Sequence, residues 1–516
     1  MARAIISSPP ALLSPEEYRE HWEPQGWRLI IIGPTATWRE DWGEWEAIRD
    51  IVQNSLDEAE KYLWGYDSDG LWIMDKGKGV AVADFLLGPP KLKPDYARGK
   101  FGEGMKIAAL TLLRHGYSVH VRTVNREIWV IFLEQRTNGT AKTLAALWRP
   151  NGIRVGTEFH IIGYSGPAYE EYFAVNLPRS AILAQVPSPL AHPIRRMNQL
   201  IKAEGTGPNP EGGCIYARDI YMRNIASTFS YNLWGFDMAP DRHGPKNESD
   251  MWVDMGRLWS GVSNERLLQR FLGMVLEPPL VATEEGRRIS MDDWSMGREP
   301  VSGKDYSAMI VEAGASWRAA WHAVVGFDGV IRTNPRWDGM VRHIGYRPID
   351  VQWAVQAGLS SVIDTDKSLV AKSQEALRQL EIVPDTRLSE WALAHLNLAR
   401  AIAREFDPEI KVHAAVIPPA SDRARTAGLY DMTTHEIFLH LETLERGDTT
   451  VDAMIHELGH HVALLRTSDP LKAEDLQPAH SEAMTYMAAR VVNYTAQGKF
   501  DKLLKNVAWS GSVLRR

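Results

Sequence analysis

The chain has 516 residues, 44% of them hydrophobic, with a formal net charge of -7 and a pI near 6.2; it is long enough for several cores and has no global basic field to draw it onto phosphate backbones. Its single cysteine, Cys214, excludes a disulfide framework and a Cys-rich zinc site, so any metal must rest on His and carboxylate ligands. No apolar run approaches the roughly 20 residues of a membrane helix, and Met1 to Glu20 does not read as a signal peptide; the expectation is a cytoplasmic protein with no membrane segment, for which nucleic acid is not the default partner.

In chain order, Trp42 to Tyr62 carries a helical stripe of Trp45, Ile48, Val52, Leu56 and Ala59. Leu71 to Met74 is a short strand closing on a Gly-rich turn at Asp75 to Gly79, and a loop rich in Pro, Lys and Gly runs from Gly88 to Gly104. Met105 to Arg114 reads as a helix; strands follow at Ser118 to Thr123, Ile128 to Glu134 and Glu158 to Ile162. From Gly166 to Pro300 the pattern is mixed, with a loop at Asp241 to Asp250 and a helix at Asn264 to Leu276. Asp328 to Asp364 reads strand, helix, strand, helix. A break at Pro384 to Thr386 opens a helix through Phe406, followed by strands at Lys411 to Ile417 and Gly428 to Leu441 and helices at Thr449 to Arg466 and Ser481 to Tyr494. The expected fold class is α+β multidomain, divided at 1–165, 166–310, 311–383 and 384–516, the second piece a transducer-like α/β region and the third a small α/β unit with a linker.

Four pieces between residues 40 and 165 resemble the GHKL superfamily, which includes gyrase, MutL, cytosolic chaperones and histidine kinases. Arg49-Asp50-Ile51-Val52-Gln53-Asn54 looks like its first box, and the resemblance implies that Asn54 coordinates the Mg²⁺ bridging the phosphates of ATP. Asp75-Lys76-Gly77-Lys78-Gly79 looks like the next, with Asp75 accepting the adenine amino proton and Gly77 and Gly79 letting backbone approach the base. Gly99-Lys100-Phe101-Gly102-Glu103-Gly104-Met105-Lys106 is similar to the phosphate lid, where Gly99, Gly102, Gly104 and Lys106 meet the triphosphate at a helix start. Gly156-Thr157 matches the last element, in which Thr157 supports the adenine site. Asp50 stands where many hydrolysing members have Glu; it is one methylene shorter, so slow hydrolysis is expected, with Glu46, one turn earlier, as the substitute base. Lys246 or Arg242, in the loop Asp241 to Lys246, is positioned in sequence to reach the γ-phosphate from the following domain. The resemblance also implies an ATP-dependent homodimer, with the arm Met1 to Pro24 exchanged or packed across it.

The segment His456-Glu457-Leu458-Gly459-His460 is an HExxH motif on a predicted helix. Its four-residue spacing puts two imidazoles on one face as neutral ligands and leaves Glu457 as general base. The helix–strand–motif-helix order resembles the zincin metalloproteases, whose gluzincin branch implies a third ligand from a Glu on the next helix. Glu482 takes that role, with Glu474, Asp475 and His480 as competitors in the same stretch. The hairpin-like segment from Gly428 to Leu439 is similar to the zincin edge strand that takes an extended peptide. His461, next to a ligand, is expected to support packing. These resemblances imply an ATP-regulated zinc metalloprotease acting on a protein or peptide; the alternative is a GHKL-type switch on nucleic acid or a protein assembly, with a structural zinc domain.

Overall fold

The computed structural model describes residues 8–81, 98, 104–136, 140–151, 153–188, 196–209, 212–239, 244–276, 284–289, 306–377, 379–418, 426–432, 434–473 and 477–509. The chain is mixed α/β with several sheets and forms two compact units: residues 1–262 with 279–309, and residues 263–278 with 310–516. No helix among the described residues is long and apolar enough to cross a membrane.

The first unit opens on an eight-stranded sheet. Its strands are β1 (Leu12–Leu13), β2 (Arg28–Thr35), β3 (Tyr62–Tyr66), β4 (Gly70–Asp75), β5 (Ser118–Thr123), β6 (Arg126–Arg136), β7 (Thr140–Arg149) and β8 (Thr157–Ile162). Seven lie in the order β2-β7-β6-β5-β8-β4-β3, all antiparallel, and β1 joins β6 in parallel. Alternation along β6 builds two cores. Ile128, Val130 and Phe132 pack with Ile48, Val52, Leu56 and Leu110 of the helices Glu44–Ala59 and Gly104–Arg114. On the other face, Trp129, Ile131 and Leu133 pack with Leu13 of the N-terminal arm and with Trp27 just after it. Within one chain, the arm therefore pairs with its own β6, with Phe132 N donating to Ala11 O at 2.8 Å.

A second sheet in this unit contains β9 (Ile182–Pro187), β10 (Met197–Lys202), β11 (Gly213–Ala217), β12 (Ile220–Ile225) and β13 (Phe229–Leu233), in the order β12-β11-β13-β10-β9. The helix Glu248–Ser260 packs on it, and Trp259 Nε1 donates to Tyr231 Oη at 3.1 Å. This sheet occupies the stretch whose sequence pattern reads as mixed.

In the second unit, Glu265–Leu276 packs on Gly314–Val324, with the Phe271 and Trp317 rings edge to face at 5.6 Å. The expected strand–helix–strand–helix segment is β14 (Gly329–Ile331), Asp338–His343, β15 (Arg347–Ile349) and Trp353–Leu359, the two strands parallel. A four-stranded sheet follows: β16 (Glu381–Val383), β17 (Lys411–Val416), β18 (Gly428–Asp431) and β19 (Glu436–His440), in the order β16-β17-β19-β18. The stretch Gly428 to Leu441 is a hairpin, as its hairpin-like pattern from Gly428 to Leu439 suggests, turning through His435 at φ 56°, and β18 is an edge strand among the described residues. Three helices, Glu390–Arg404, Gly447–Thr467 (the motif helix) and Pro478–Ala496, share a core of Leu396, Ile402, Leu439, Met454, Leu458 and Met487. The start of the motif helix is tied from two sides. Gly447 N donates to Ala508 O at 2.8 Å, and Ala508 N donates to Nε2 of buried His395, whose Nδ1 donates to Leu444 O at 2.6 Å.

Candidate metal centre and nucleotide site

On the motif helix, His456 and His460 stand one turn apart with ring centroids 5.0 Å apart. The next helix opens with Pro478 in its first turn, where the missing N–H costs nothing, and this places His480 over Gly459. A Cβ at Gly459 would lie 2.7 Å from Met484 Cγ and 2.9 Å from His480 Nε2, so only glycine lets the two helices approach this closely. The His480 ring stacks on His460 at 4.1 Å and lies 5.1 Å from His456. Ligand-capable atoms of His456, His460 and His480 all fall within 4.8 Å of one another.

His460 Nδ1 faces Ala473 O at 2.6 Å. A carbonyl only accepts, so Nδ1 carries the proton and Nε2 keeps a lone pair, the tautomer a metal ligand needs. Three neutral imidazoles are a donor set known for catalytic zinc, leaving a fourth position open. The third member differs from expectation. Glu482, two residues and about 200° further round the helix, is exposed and lies outside the group that His480 completes; Glu474 and Asp475 lie outside the described residues.

Glu457 is buried on the adjoining face of the motif helix, against β18. A Cβ at Gly428 would come within 2.9 Å of Glu457 Cγ and 3.0 Å of Oε1. One turn on, His461 Nε2 faces Asp407 Oδ2 at 2.9 Å, while Nδ1 faces Tyr430 Oη at 2.9 Å, and the same hydroxyl meets His435 Nδ1 at 2.6 Å. Burial lowers the His461 pKa against the opposing pull of Asp407, and burial pushes the Tyr430 phenol up to about 12.

In the first unit, Asp75 at the end of β4 is buried beside the start of β8. Its Oδ1 accepts from Gly77 N at 2.7 Å. Burial raises its pKa, opposed by hydrogen bonds from Gly77, Ser55 and Thr157. Gly156 (φ 82°) admits no side chain, because a Cβ there would meet Asp75 O at 2.0 Å; Gly79 (φ 87°) is closed in by Thr123 and Val124. Thr157 Oγ1 lies 3.4 Å from Thr123 Oγ1, which accepts from Val80 N. The structure therefore brings Asp75, Gly77, Gly79 and Thr157 together. Asn54, half-buried, donates to Asp50 O at 2.7 Å. Asp50 is buried against the start of the second helix, where a Cβ on Gly104 would stand 1.7 Å from its Oδ2; Lys106 is buried one turn into that helix. Glu46, by contrast, caps its own helix, its Oε2 accepting from Gly43 N at 2.9 Å. Lys246 is exposed, and no hydrogen bond or ion pair among the described residues joins it to Asn54 or Asp75. Gly99, Gly102 and Arg242 lie outside the described residues.

No protein-family model matches this chain. Over 150 residues it is 26% identical to an uncharacterized protein of Mycoplasma pneumoniae, an alignment that takes in 27% of this chain and 61% of that protein.

Proposed function

We propose that this chain is a zinc-dependent peptidase whose first unit binds ATP with Mg²⁺ and thereby controls hydrolysis. The observation that carries the reading is the convergence of His456, His460 and His480, with Glu457 buried next in sequence to the first of them. A zinc ion held by these imidazoles supplies Lewis acidity toward a peptide carbonyl. Glu457, next in sequence to His456 and on the adjoining helix face, takes the proton of the attacking water and returns it to the leaving amine. Among the described residues β18 is the edge strand of its sheet, the kind of element that pairs with an extended peptide. In the first unit, the buried carboxylate of Asp75 among Gly77, Gly79 and Thr157 supports recognition of an adenine amino group, and Asn54 is the residue for Mg²⁺.

The test is metal analysis paired with peptide cleavage. Glu457→Gln should retain about one zinc per chain and lose hydrolysis by a factor of about 10³ or more. His480→Ala should lose the zinc, whereas Glu482→Ala should keep both metal and rate. Stoichiometric zinc surviving the combined His456→Ala and His460→Ala changes would refute the assignment.

A further inference from the structure

The two faces of the motif helix divide the work between them. His456 and His460 point toward Pro478–Ala496, while Glu457 and His461, also one turn apart, point toward β18. On β18, alternation turns Gly428 and Tyr430 to that helix and Leu429 to the opposite core with Phe438. Strand and helix therefore meet at two points, Gly428 on Glu457 and Tyr430 on His461. The first is a fit with no room to spare. Gly428 has no positive φ, so its lack of a side chain serves space rather than backbone conformation.

The second contact is a run of three hydrogen bonds. A carboxylate only accepts, so His461 Nε2–H donates to Asp407; neutral His461 then accepts at Nδ1 from the Tyr430 hydroxyl, whose oxygen accepts from His435 Nδ1–H. The run of bonds thus joins Asp407, the motif helix at His461 and β18 at Tyr430.

We infer that Asp407, His461 and Tyr430 form a lock that holds β18 at a set distance from the motif helix and so positions Glu457 on the helix face adjoining that of His456 and His460. These are positioning residues, and the inference rests on the peptidase reading. A small displacement of a general base costs rate and leaves ground-state binding unchanged, so the effect falls on kcat.

Tyr430→Phe keeps the ring and removes one hydroxyl. At a temperature well below its melting point, it should lower kcat about 10- to 100-fold while KM and zinc affinity stay within about twofold of wild type. Gly428→Ala should show the same split, and the double variant should lose little more than either single one, because both act through Glu457. Asp407→Asn, which still offers His461 an acceptor, should retain most of the rate, and Asp407→Ala should match Tyr430→Phe. A wild-type kcat in Tyr430→Phe overturns the lock, as does a loss of zinc affinity in proportion to rate. The second readout needs no activity: in zinc-free protein, amide hydrogen exchange across β18 should be about tenfold faster in Tyr430→Phe than in wild type. If zinc-loaded wild type cleaves no peptide, the peptidase reading fails and the exchange result alone decides the lock; unchanged exchange then sinks it.

Discussion

At the scale of single residues, Asp75 shows what one buried carboxylate costs the fold. Its pKa is raised above the ordinary 3.8, chiefly by burial. The folded state thus favours the protonated form, and the stability this gives is present at low pH and lost as pH rises through the raised value. Asp75→Asn removes the charge while keeping the shape. At pH 7 we expect the nucleotide-free variant to melt no lower than wild type, yet to lose ATP binding in calorimetry, because the amide of Asn presents the wrong partner to an adenine amino group. For wild type, ATP affinity should fall on acidification at a higher pH than an ordinary Asp would require. An unchanged affinity in Asp75→Asn would remove the nucleotide assignment. The same scale marks what the sequence conceals. His480 and Glu482 are two residues apart on one helix, and only the phase of that helix against its neighbour decides which faces inward. The signals were Gly459 inside the motif and Pro478 at the helix start, which together fix that phase. Tyr430 and Asp407 carried none, since their partner His461 is far away in sequence.

Among the elements, Gly459 marks a close approach of the motif helix to Pro478–Ala496. Gly459→Ala would improve intrinsic helix propensity by up to about 1 kcal/mol, but its Cβ meets His480 and Met484 at under 3 Å. We expect packing to win, so that the variant binds zinc at least tenfold more weakly in a competition titration while far-UV circular dichroism keeps its helical signal. Wild-type zinc affinity would show that the crossing has slack. Elements with a strong period were legible: the helix stripe of Ile48, Val52 and Leu56, strand Ser118–Thr123, and the strand–helix–strand–helix segment all fall where the pattern puts them. Those that were not legible have tertiary causes. Thr140–Arg149 is rich in Ala and Leu, good helix formers, and is a strand because β6 and β2 pair with it on both sides. Arg28–Thr35 contains Gly33 and Pro34, which interrupt any strand pattern; here they fall at a register shift on an edge strand, where a missing ladder donor is tolerated.

For the molecule as a whole, the two resemblances fall in different compact units, with the stretch 263–278 grouped with the second and 279–309 with the first. Control of one site by nucleotide in the other requires a change that both ligands bias. The measurable form is self-association: with a non-hydrolysable ATP analogue, sedimentation should show a larger species than the nucleotide-free protein, and an identical monomer under both conditions would remove the dimer from the proposal. The tie between Gly447 and Ala508 has a consequence for biosynthesis. Chains are made from the N-terminus, so the amide that opens the motif helix waits for a partner translated after His456, Glu457 and His460. Until residue 508 arrives, His395 also lacks its donor. A message truncated just short of that codon yields a product with His456, His460 and His480 all present and the motif helix without this tie at its start.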